Sequence, residues 1–84
     1  MNLFSEFITN FYNKTVRTYI FHKIYGNQKS IIHNFKPFVK ESKVGFLVND
    51  HEVFVRFDEI ESAELNGNEF VINGTMQKMV LQIT

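Results

Sequence analysis

From residue 44 onward the apolar residues recur at nearly every second position, and the runs they form are broken by turn chemistry. Runs at 44–48, 52–57, 60–65, 69–72 and 76–83 are punctuated by Asn49-Asp50, Asn66-Gly67 and Asn73-Gly74. A period of two sends alternate side chains to opposite faces of a strand. Asn-Gly between such runs is the strongest short-range hairpin signal, because both central residues of the favoured turn need positive φ. The pattern predicts a five-strand antiparallel meander over residues 44–83. Phe46, Val48, Val53, Val55, Phe57, Phe70, Ile72, Met79, Leu81 and Ile83 fall on one of its faces.

Upstream, the spacing is that of a helix. Leu3, Phe4, Phe7, Ile8, Phe11, Tyr12, Val16, Tyr19, Ile20 and Ile24 form a wide apolar stripe, with Glu6, Asn10, Asn13, Lys14 and Arg17 opposite. The stripe predicts one amphipathic helix over about residues 3–25, capped by Asn2 and closed by Gly26 and Asn27. A striped helix and a one-faced sheet each lack a partner, so the expected fold is α+β, with the helix packed on the meander. The alternative is a sheet curled into a small barrel with the helix plugging one end.

Residues 29–40 carry conflicting signals. Ile31, Ile32, Phe35, Phe38 and Val39 fit a helical stripe, whereas Pro37 breaks a helix interior. A short helix ending before Pro37, followed by an extended stretch, satisfies both signals. An edge strand, where proline is tolerated, is the other solution.

A chain of 84 residues builds one core, so residues 1–84 are read as a single domain. With 44% hydrophobic residues and ten phenylalanines it has ample apolar volume to fold. The absence of cysteine excludes disulfides and thiolate-ligated zinc, and fits a reducing cytoplasm. Polar residues interrupt the first twenty positions too often for a signal peptide or a transmembrane segment, so a soluble, cytoplasmic protein is expected. The abundance of Phe, Ile, Asn, Lys and Tyr, all encoded by A/T-rich codons, points to an AT-rich bacterial or phage genome.

Candidate chemistry is sparse. The glycines at 26, 45, 67 and 74 form neither G-x-G-x-x-G nor a P-loop, so no nucleotide cofactor is expected. His22, His33 and His51 lie in separate segments and lack the spacing of H-E-x-x-H. Asp50, His51 and Glu52 miss the spacing of a calcium loop, and no metal is expected. Ser5, Thr9, Thr15, Thr18 and Ser30 stand in no nucleophile motif, which argues against an enzyme.

Charge is the more informative feature. Net charge is zero, yet residues 1–43 hold seven Lys/Arg against two Glu, and residues 44–84 hold two against seven acidic residues. The first expectation is a small non-enzymatic protein-interaction module, an adaptor or inhibitor of bacterial or phage accessory type, open to homodimer formation. Its contacts would be the exposed aromatics Phe21 and Tyr25 and the acidic run Asp58, Glu59, Glu61 and Glu64. The alternative is a nucleic-acid-binding small β-barrel using Lys14, Arg17, Lys23, Lys29, Lys36 and Lys40, interleaved with aromatics. A third reading lays the N-terminal helix on a membrane surface through its aromatic stripe.

A helix followed by a five-strand meander resembles the layout of Sm-like and other small SH3-like barrels. The phrase Phe57-Asp58-Glu59-Ile60-Glu61 is similar to an aromatic, acidic, isoleucine run of small bacterial β-domains. The glycines depart from an Sm signature, since none stands within residues 52–57. The resemblance therefore implies a layout and assigns no functional residue.

Overall fold

A computed structural model describes residues 2–84 as an α+β fold, with one α-helix and eight strands in two antiparallel sheets. The helix, α1 (Leu3–Phe11), begins where Asn2 Oδ1 accepts the Phe4 N–H at 2.8 Å. That side-chain acceptor satisfies a backbone donor that would otherwise lack a partner at a helix start.

The predicted helix over 3–25 is corrected here, because α1 stops after Phe11. Asn13 takes the left-handed conformation with φ 60°, and its N–H turns away to the carbonyl of Phe35. Beyond it lie β-branched Thr15, Val16, Thr18 and Ile20, which lose side-chain freedom in a helix and suit a strand. The chain accordingly forms β1 (Val16–His22) and, after a turn, β2 (Gly26–Ile32). Gly26 is left-handed as expected, at φ 82°, but it closes this hairpin instead of a helix. The apolar spacing misled because Val16 and Ile20 satisfy a period of two as well as one of 3.6.

Residues 29–40 contain no helix either. Lys29–Ile32 completes β2, and Pro37 sits in β3 (Lys36–Val39), a short edge strand paired only with its successor. Phe35, in the link between them, is fully buried.

The later strands are β4 (Lys43–Val48), β5 (His51–Arg56), β6 (Ile60–Asn66), β7 (Glu69–Gly74) and β8 (Gln77–Ile83). These are the five segments that the period of two indicates, but they do not form one meander. A 3-10 turn at Phe57–Glu59 hands the chain from one sheet to the other. β3-β4-β5 is one sheet, and β2-β1-β8-β7-β6 is the second. Both sheets end in free edges, and they do not close into a barrel. The Asn73-Gly74 turn also shifts, since both residues belong to β7 and the bend follows at Thr75 and Met76.

α1 and inward residues of both sheets make one core. Phe7 and Phe11 from the helix, Phe46 and Val55 from the smaller sheet, and Phe70, Met79 and Leu81 from the larger are all buried. Phe7 stacks on Phe70 with ring centroids 4.4 Å apart, and Phe4 stacks on Phe57 at 5.3 Å. Burial of each such side chain is worth about 1.5–3 kcal/mol, and phenylalanine pairs add directional packing.

Candidate functional site

The four edge strands of the two sheets are not equally protected. An unpaired edge exposes a row of backbone donors and acceptors, which folded proteins usually blunt. β3 is short, contains Pro37 and lies against α1. β5 has its Phe54 carbonyl taken by the side-chain amide of Gln77 at 3.1 Å. β6 carries a bulge between Ile60 and Ser62, and exposes Glu61 and Glu64.

β2 has no proline, bulge or side-chain cover, and Lys29 is its one charged residue. Residues 26–31 are all exposed, so the strand overhangs the core and shows solvent both faces as well as its free edge. Register with β1 nevertheless holds it in place, from Val16 opposite Ile32 to His22 opposite Gly26. On the inner face Thr18, only 2% exposed, shares a hydroxyl hydrogen bond of 2.8 Å with Ser30. The buried hydroxyl of Thr18 thus finds its partner in the edge strand, and fixes that strand's lateral position.

The outer face of this hairpin is basic and apolar together. Arg17 stands opposite Ile31, and Tyr19 opposite Lys29. Arg17, Tyr19, Lys29, Ser30 and Ile31 line a shallow cleft of about 350 Å³. The hairpin tip presents Lys23, Ile24 at 69% exposure and Tyr25 at 77%. The tip is ordered by His22, whose Nδ1 accepts the N–H groups of both Ile24 and Tyr25, at 3.1 and 3.3 Å.

The acidic residues named from sequence lie elsewhere. Asp58 and Glu59 are in the 3-10 turn, and Glu61 and Glu64 are in β6, at the opposite edge of the larger sheet from Phe21 and Tyr25. The structure therefore separates the two halves of the expected contact set.

The basic set is divided too. Arg17, Lys23 and Lys29 share the β1–β2 hairpin. Lys36 donates to Asn13 Oδ1 and lies over the Tyr12 ring, while Lys40 pairs with Glu52 on the smaller sheet. Lys14 borders a separate cleft with Thr9, Asn10, Gly67, Asn68 and Ile83. Hydrogen bonds from Lys40, and then from Lys43, hold the Glu52 carboxyl below its ordinary pKa.

His33 meets Thr15 Oγ1 at 3.2 Å, and His51 opens β5, so the three histidines stay apart. Among the described residues no three His, Asp or Glu side chains are grouped to hold a metal ion. No helix among them is long and apolar enough to cross a membrane. The helix face carrying Phe7 and Phe11 is turned into the core.

Sequence reasoning placed Tyr19 and Ile24 on a helical stripe, and so missed their part in this surface. The available signal was the alternation Arg17, Tyr19, Phe21 against Val16, Thr18, Ile20, followed by a glycine suited to a hairpin. The chain matches no protein-family model, no curated protein and no solved structure.

Proposed function

We propose that the protein is a non-enzymatic interaction module that binds a partner protein by adding the partner's extended segment to the free edge of β2. One observation carries this reading: six consecutive residues, 26–31, are exposed along an edge that lacks the proline, bulge or side-chain cover present at the others. Strand addition draws affinity from backbone hydrogen bonds and specificity from alternate side chains. The ordered tip, with Ile24 and Tyr25 outward, supplies apolar contact next to that edge.

The test is amide hydrogen exchange on the 84-residue chain, alone and with its captured partner. New protection along β2 supports the proposal. Protection confined to α1, β4 or β6, with β2 unchanged, refutes it.

Single-stranded nucleic acid on the same face is a second reading, favoured by Arg17 and Lys29 flanking Tyr19. Affinity that falls steeply with salt would support it, since phosphate contacts release counterions.

A further inference from the structure

The chemistry of the partner strand follows from what it would meet, granted that β2 accepts a strand. An added strand places its alternate side chains beside Asn27, Lys29 and Ile31 on the outer face, and beside Gln28 and Ser30 on the inner face. Behind the outer row stand Phe21, Tyr19 and Arg17 of β1, and behind Phe21 stands Lys78 of β8. Every charged residue in this patch is a cation.

No ion pair among the described residues neutralises it. Residues 7–40 contain no Asp or Glu. The ion pairs among the described residues join Lys40 and Lys43 to Glu52, and Arg56 to Asp58, leaving Arg17, Lys23 and Lys29 without a carboxylate. Along the cross-strand row through Arg17 and Gln82 the acid is Glu69, two strands beyond Arg17, and the amide of Gln82 holds it at 2.6 Å. An uncompensated cation pair around a cleft walled by Tyr19 and Ile31 selects a carboxylate with an apolar neighbour.

We infer that the segment received by β2 is an acidic strand, with a carboxylate side chain opposite Lys29 and an apolar one opposite Ile31. Small polar residues face Gln28 and Ser30. A polyphosphate or a lipid headgroup would use the cations but would leave the backbone edge and Ile31 unengaged.

The experiment titrates the 84-residue chain with a short peptide repeating threonine, glutamate, threonine, valine. Companion peptides carry glutamine or lysine in place of glutamate, and one keeps glutamate on an N-methylated backbone. The glutamate peptide should bind, moving the amide resonances of β2. Glutamine should weaken it by roughly two- to fivefold, lysine further, and N-methylation should remove binding. Lys29→Glu, at an exposed position, should keep the wild-type melting temperature and reverse the preference toward the lysine peptide. Equal affinity for all three charge types, still lost on N-methylation, overturns the acidic partner while leaving strand addition intact. Binding indifferent to N-methylation, or no binding, overturns both. Displacement of the glutamate peptide by single-stranded RNA or by anionic vesicles assigns the cations to phosphate and also overturns the inference. So does a self-associated protein, seen by light scattering, whose mass Lys29→Glu leaves unchanged.

Discussion

The imidazole of His22 lies 4.6 Å from the ring of Tyr25, centroid to centroid, and accepts that residue's backbone N–H through Nδ1. The same nitrogen accepts from Ile24, so the neutral ring carries its proton on Nε2. One side chain thereby shapes the turn that projects the two most exposed large hydrophobic residues among those described.

His22→Ala should loosen that turn. Each bond of this kind is worth about 1 kcal/mol, so exchange of the Ile24 and Tyr25 amides should speed up roughly fivefold. His22→Asn retains an acceptor at the same place and should restore most of the protection. Unchanged exchange in the alanine variant would show that backbone geometry alone holds the tip.

Gly45 is required by close approach of backbone. A Cβ there would stand 1.9 Å from the Val53 carbonyl oxygen and 2.7 Å from Phe54 Cα, both in the neighbouring strand. Gly45→Ala should therefore part β4 from β5 at a cost of about 3 kcal/mol or more. A chain of this size has roughly 4–13 kcal/mol in total. A thermal melt should fall by about 12–24 °C.

The β4–β5 turn stores local strain that a glycine would relieve. Asn49 and Asp50 both have positive φ, at 49° and 67°, the geometry of a type I′ turn. Asp50→Gly should stabilise the fold by about 0.5–1 kcal/mol, visible as a higher denaturation midpoint. A lower midpoint would mean that the Asp50 side chain contributes more than its backbone costs.

Glu52 sets an acid dependence of known sign. Lys40 and Lys43 hydrogen-bond to its charged form, which lowers its folded pKa relative to the unfolded chain. The stabilisation is complete above the ordinary glutamate range and is lost as pH falls through the lowered folded value. The pair is solvent-accessible, so the effect is small. Melting temperatures measured from neutral to strongly acid pH should fall less steeply in Glu52→Gln than in the parent chain.

The strands from β4 to β8 were legible because period-two alternation and Asn-containing turns are local signals. Their division between two sheets was not, since the crossover at Phe57–Glu59 depends on which distant strands offer edges. The same logic explains why the predicted helix is lost beyond Phe11. Residues 16–20 satisfy both periods, and the choice falls to β8, a partner some sixty residues later in the chain. For the surface, Phe21 and Tyr25 were recognisable as aromatics off the core. Their grouping with Ile24, Ile31, Arg17 and Lys29 required the hairpin to be known.

Val16 stands across from Ile83, and the whole of β1 is zipped to β8. During synthesis on the ribosome, the nascent hairpin must therefore wait for the last strand before Val16 and Thr18 are shielded. Pairings of such long sequence separation slow folding toward the millisecond-to-second range. In that interval the phenylalanine-rich beginning of the chain is open to unwanted association.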